Sequence, residues 1–250
     1  MTAPDDEREL LAADSFRVRV HRGRAQARGF DRHVARFAAT AAAALGSHPG
    51  ASAELSSFLA QAPAHIASYG TGFPRLELWR DPTGEPTFSL ALRPLPTLHD
   101  TIELRTTGEL LLPRATRKGP NLNTLLALNR ELGAEALLLD GTGHVLEGAT
   151  TSIVWWLPGS HVPHTVAAPL RVPSVTEALL GNAAAQWDSA GARSADASPE
   201  ALLDAEVWAV NALHGIRTVT TLDGQALVAP AEERLAWFRD ALDHTWTNVT

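Results

Sequence analysis

The 250-residue chain has no cysteine. Disulfides, thiolate metal sites and cysteine nucleophiles are therefore excluded. Lysine is almost as scarce: lysine and arginine together number 21, and Lys118 is the single lysine. There is one tyrosine, Tyr69. No apolar run approaches the roughly 18 residues that a membrane-spanning helix needs. Excess positive charge is also absent; the formal net charge of −7 argues against a nucleic-acid partner. The first residues, MTAPDDEREL, are acidic and polar rather than a basic-then-apolar leader, so a cytoplasmic protein is expected.

What is present is ordinary for a folded globular chain: 45% apolar and 20% charged residues, enough for one large domain or two small ones. FRVRV (Phe16 to Val20) alternates and reads as a half-buried strand. In the helix that follows, Asp31 is the expected cap, Val34, Phe37, Ala38 and Ala41 the apolar face, and Gly46 the end. A second helix is expected at SAELSSFLAQA, then strands at PRLELW, TFSLAL and TIELR, separated by turn residues. RPLPTLHD (Arg93 to Asp100) is the expected linker, giving domains over 1–96 and 97–250. Beyond it the pattern predicts a helix from Asn121 to Leu132, strands at EALLLD, HVLE and TTSIVWW, and a helix from Ser174. Two more strands, AEVWAVNA and IRTVTTL, precede a closing helix from Ala231 to Asp243.

Arginine can replace lysine as a charge but not as a primary amine, because guanidinium stays protonated and is not nucleophilic near neutral pH. A carbonyl cofactor would require the amine. Pyridoxal phosphate has further needs. Its phosphate suits a helix N-terminus and a cation, and its pyridine nitrogen needs a carboxylate. Downstream of Lys118, Glu147 stands at the end of a short strand after a tight turn, and PSVTEALL puts Ser174, Val175 and Thr176 at a helix start. Upstream, His33 and Arg36 share a helix face, placed away from Val34 and Phe37.

In order and spacing these pieces resemble the fold-type IV (class IV) pyridoxal-phosphate enzymes, which include branched-chain and D-amino-acid aminotransferases and aminodeoxychorismate lyase. The resemblance rests on Lys118, GAEALLLDGTG, EGATTSIVWW, SVTE, the His33–Arg36 pair and DAEVWAVNALHGIRTV, and runs from about Asp14 to Gly224. It implies an α+β fold of two domains, a small α+β N-terminal one and a larger, β-barrel-like one carrying the lysine. It also implies a homodimer. Lys118 would form the internal aldimine with pyridoxal 5'-phosphate and move the α-proton. Glu147 would hold the pyridine nitrogen. Arg36, Val175 and Thr176 would hold the phosphate, with Ala212 also at the cofactor. Asn211 and His214 would reach the phosphate or substrate, an amino acid or amino-carboxylate.

The chain departs from the family pattern at several points. Ser152 stands where the family usually has asparagine, Glu177 where it has a cation, and Asn123 where branched-chain aminotransferases have tyrosine. Transaminase and lyase therefore both remain open, and a fold-type IV homologue without turnover is the alternative reading. His161 and His164, in HVPH, are expected to be solvated loop histidines rather than metal ligands.

Overall fold

The structure is a computed structural model that describes residues 8–46, 48–108, 110, 112–167 and 171–250. In chain order the elements are β1 (Glu9–Ser15), β2 (Val18–His21), β3 (Arg24–Arg28), α1 (Phe30–Leu45), α2 (Ala51–Tyr69), β4 (Arg75–Arg80), β5 (Pro86–Ala91) and β6 (Thr101–Thr106). Then come α3 (Leu122–Leu132), β7 (Glu135–Leu139), β8 (Val145–Gly148), β9 (Ser152–Trp156), β10 (His164–Val166) and α4 (Val175–Trp187). The chain ends with β11 (Arg193–Ala195), α5 (Pro199–Leu202), β12 (Glu206–Asn211), β13 (Gly215–Leu222), β14 (Gln225–Ala226), α6 (Glu232–Asp243) and β15 (Trp246–Asn248). Contacts divide these into two compact units. The first holds 1–97, 117–122 and 246–250, and the second holds 98–116 and 123–245. Residue 118 thus clusters with the N-terminal elements.

In the first unit, β1, β4 and β5 form an antiparallel sheet, and β15, β3 and β2 form another. The aromatic rings of Phe37 (α1), Phe58 (α2) and Phe88 (β5) meet at centroid distances of 5.3–6.4 Å and tie both helices to the first sheet. The helix expected to be capped by Asp31 starts instead from Gly29 in the left-handed region, with no side-chain cap; Asp31 lies in its first turn. Its buried stripe is Phe30, His33, Phe37 and Ala41, so His33 faces inward rather than away from the apolar side. A polar ring can be buried there because β1 brings it an acceptor, Asp14. β1 itself is hidden in an unpatterned run, ELLAADS, in which five consecutive residues are buried. Period-2 alternation cannot reveal a strand covered on both faces.

The second unit is built on a nine-stranded mixed sheet in the order β11-β10-β9-β12-β13-β6-β7-β8, with β14 added on β13. The sheet curls until its two ends meet: Val145 N–H, on β8, donates to the carbonyl of Ala197, just past β11, at 2.8 Å. Strand residues then alternate between two buried environments. Ile153, Trp155, Val207 and Ala209 face the interior with Leu104, Leu137 and Val219. Val154, Trp156, Trp208 and Val210 face outward against α4 and α6. α3 covers Ala136 and Leu138 on the outer side of β7. His164, expected in a loop, begins β10 and stacks on Trp155 at 5.6 Å. Among the described residues no helix is long and apolar enough to cross a membrane.

Leu104 is fully buried in the interior cluster, whereas Leu126 on α3 is 40% exposed. Leu104→Ala is expected to cost ~2–5 kcal/mol of unfolding free energy, and Leu126→Ala less than ~1 kcal/mol, in urea titrations followed by circular dichroism.

Candidate active site

Strand direction decides what gathers in the second unit. β9 and β13 run the same way as β7, while β8, β10 and β12 run opposite. The C-terminal ends of β8, β10 and β12 and the N-terminal ends of β7, β9 and β13 therefore form one mouth of the curled sheet. Glu147 lies at the end of β8 and is half-buried. Asn211 ends β12, and the turn through Ala212, Leu213 and His214 leads into β13. α4 begins after the end of β10, so Val175 and Thr176, both buried, sit on the same side. Of the expected site residues, this mouth holds Glu147, Val175, Thr176, Asn211, Ala212 and His214.

At the start of α4 the Ser174 hydroxyl accepts from Glu177 N–H at 3.2 Å. First-turn N–H groups have no intrahelical acceptor and present partial positive charge. Where the family pattern has a cation, Glu177 instead takes both Nη atoms of Arg171, at 2.7 and 2.5 Å. Burial lowers the Arg171 proton affinity, but Glu177 and Glu147 outweigh it and raise the guanidinium above its ordinary value. Position 177 is thus half of an ion pair with Arg171 rather than a cation.

Asn211 is committed to the turn. Its Oδ1 accepts from Leu213 and His214 N–H at 3.1 and 2.9 Å, and its Nδ2 donates to the Thr150 carbonyl at 3.4 Å. His214 Nδ1 accepts from His99 N–H at 3.1 Å. Next to Glu147, the loop 148–151 is tight enough to require glycine at 148, where a Cβ would run into Thr151 Oγ1. Glu135 organises this loop. Its carboxylate accepts from Thr150 N–H at 2.6 Å, from the Thr150 and Thr151 hydroxyls at 3.0 Å, and from Asn129 Nδ2 at 2.8 Å.

The first unit holds the other two expected residues, Lys118 and Arg36. Ala13 N–H, on β1, donates to the Lys118 carbonyl at 2.8 Å. Gly119 follows with φ 128°, and a Cβ there would lie 2.5 Å from Ala13 N, so only glycine lets the lysine segment lie this close. Beside Ala13, fully buried Asp14 accepts from Arg36 Nε (2.7 Å), Arg36 Nη2 (2.9 Å) and His33 Nδ1 (2.8 Å). Burial alone would push the Asp14 carboxyl up, but the Arg36 charge and the His33 contact overcome it and hold it well below the usual carboxylate range. Burial also pushes His33 down, against the pull of Asp14, and the Arg36 and Lys118 charges push the same way. The ion pair is therefore Arg36–Asp14, with neutral His33 donating its Nδ1 proton. Arg36, expected on a phosphate, turns one edge of its guanidinium onto this carboxylate.

Asp14 and Arg171 belong to none of the motifs that the sequence pattern singles out; Glu135 and Arg217 lie inside GAEALLLDGTG and DAEVWAVNALHGIRTV, but the pattern gives them no role. The readable signal for two of them is a charge inside an apolar run: Asp14 in LLAADS, Arg217 in GIRTV.

Residues 12–222 match the family model described as amino-transferase class IV. The chain belongs to the class IV aminotransferase family; it is a fold-type IV enzyme whose cofactor is pyridoxal phosphate. No curated protein sequence matches it. Among solved structures, it is similar to the branched-chain amino acid aminotransferase of T.th. with pyridoxamine 5'-phosphate (17% identity, TM-score 0.77, covering 96% of this chain and 89% of that one). A fold IV-transaminase from Curtobacterium pusillum is 21% identical at TM-score 0.71, over 94% of this chain and 84% of that one. A PLP-bound hypothetical aminotransferase from Mycobacterium tuberculosis is 19% identical at TM-score 0.71, over 98% and 93%.

The buried triad makes stability pH-dependent. His33 is held below its unfolded value of about 6.5, so the unfolded chain takes up that proton first. The contribution of neutral His33 is full above about pH 6.5 and is lost as pH falls toward the folded value. Asp14, held below its unfolded value of about 3.9, contributes above that pH and loses its contribution only in stronger acid. Urea unfolding from pH 8 to 4 is expected to show a decline for wild type that is shallower in His33→Gln; identical slopes in the two proteins would contradict the assignment.

Proposed function

We propose that this chain transfers the amino group of an amino acid or amino-carboxylate to a keto acid, with Lys118 as the amine that carries the cofactor and moves the substrate's α-proton. The observation that carries the reading is the mouth of the curled sheet, where Glu147 and the start of α4 lie together. Their chemistry fits the two ends of pyridoxal phosphate. A first helical turn with N–H groups and the Thr176 hydroxyl suits a phosphate dianion. A half-buried carboxylate suits a protonated pyridine nitrogen.

Bound there, the cofactor supplies an electron-withdrawing ring that stabilises negative charge at the substrate α-carbon. Every other task falls to the chain. Val175 and Thr176 N–H groups anchor the phosphate and fix the ring's position. Glu147 keeps a proton on the ring nitrogen. The packed strands around the mouth limit water. Lys118 is the chain's single side-chain amine, and Gly119 and the Ala13 hydrogen bond hold its backbone. Asp14, next to Ala13 on β1, neutralises Arg36, so a half-buried cation is present without adding net positive charge to the lysine's surroundings. Transamination is favoured over lyase chemistry because Asn211, the residue that most resembles the lyase segment, spends its amide on the turn rather than on substrate. A homodimer is part of the reading; the exposed apolar residues Val20 and Tyr69 offer surface for it.

The first test is the spectrum of protein incubated with pyridoxal phosphate and desalted, followed by borohydride and peptide mapping. A visible band fixed at Lys118, absent in Lys118→Ala, is expected; label at no lysine would sink the assignment. Glu147→Gln is expected to retain the cofactor while losing at least ~100-fold in kcat in a screen of D- and L-amino acids with 2-oxoglutarate.

A further inference from the structure

Arg217 is the third residue of β13 and is buried, at 8% exposure. It lies directly opposite Ala209 on β12, and residues so paired share a face of the sheet. Ala209 belongs to the interior cluster, so Arg217 points inward near the mouth. Glu135, opposite Leu104 and two residues from Leu137, is also on the interior face at this end. The two charges feel each other: burial pushes the Arg217 guanidinium down from its ordinary value and Glu135 partly offsets the shift. They nevertheless do not pair. Both Glu135 oxygens are engaged by Thr150, Thr151 and Asn129. The Arg217 side chain makes no hydrogen bond or salt bridge with any described residue, and its Nε is sealed from solvent without an acceptor.

A largely buried guanidinium whose Nε has no acceptor is costly to a fold. It is sustained where an acceptor arrives from outside, and a planar fork of N–H groups matches the oxygens of a carboxylate or phosphate. We propose that Arg217 is an oxyanion seat at the mouth of the curled sheet, completed by a small-molecule anion. If the proposed transaminase function holds, that anion is the substrate carboxylate, since the start of α4 already provides for the phosphate. The placement agrees with this: Arg217 lies on β13 three residues past the turn Asn211–His214, and Glu135 braces the loop after Glu147, so the seat borders the residues assigned to the ring.

The test measures binding, not turnover. Succinate, 2-oxoglutarate and inorganic phosphate are titrated calorimetrically into wild type, Arg217→Lys and Arg217→Met, each with and without pyridoxal phosphate. Thermal melts in anion-free buffer run alongside, and cofactor retention is read by absorbance. Arg217→Met is expected to weaken anion binding ~10- to 100-fold. Arg217→Lys should fall between, keeping the charge without the fork. The Met variant should melt no lower than wild type without anion, because an unanswered buried charge has been removed, and should lose the anion-induced rise in Tm. A selective loss for the two carboxylates identifies the substrate as the source; a selective loss for phosphate and for cofactor retention identifies the cofactor. Unchanged affinities for all three anions, with a lower Tm in both variants, would overturn the proposal and leave Arg217 as a partner of Glu135. The two readings can fail separately. Intact anion binding without transamination sinks the proposed function, and transamination with unchanged anion affinities sinks the seat.

Discussion

The second unit depends on one closure. When Val145 on β8 reaches the carbonyl beyond β11, the two ends of a long mixed sheet come together, and its side chains acquire an inside and an outside. Leu104, Leu137, Ile153, Trp155, Val207, Ala209 and Val219 fill the inside. Trp156, Trp208 and Phe238 join the outer face to α4 and α6. With both faces buried, polar groups are tolerable only where strands end. The mixed strand directions then decide which end of each strand opens at one mouth, and the polar groups of the candidate site in this unit are found there.

The buried charges are handled in two different ways. Asp14 is fully enclosed but completely satisfied: a guanidinium edge and a neutral imidazole supply its side-chain partners, and the lysine segment is tied to the same strand. Such a group costs little once formed, and losing any partner exposes the desolvation penalty. Arg217 is the opposite case, enclosed and unanswered while its nearest counter-charge is occupied elsewhere. A satisfied cluster rigidifies; an unsatisfied one waits for a ligand.

Much of the fold could be read from pattern. The strands at 75–80, 86–91 and 101–106 and the helices at 122–132, 175–187 and 232–243 follow period-2 and period-3.6 apolar spacing that the structure preserves. The Ser174 cap was visible because capping is local chemistry. β1, β3 and β15 were not visible. β1 is apolar throughout its middle, β3 reads RAQAR, and β15 is a three-residue strand that pairs with β3 across more than two hundred residues. Gly29 starting α1 was also hidden, since a left-handed start leaves no side-chain signature.

The sequence by itself determined the chemistry available: a single side-chain amine, a glutamate after a turn, a serine-capped helix start, and an ordered string of motifs that marks the class IV aminotransferases. These are local facts, carried by residue type and spacing. Only the tertiary structure decided which charges are answered. Asp14 meets Arg36 across 22 positions, Arg171 pairs with Glu177, and Arg217 and Glu135 face one interior without pairing. Those outcomes depend on strand direction, register and burial, because the energy of a charge is set by what surrounds it once water is gone.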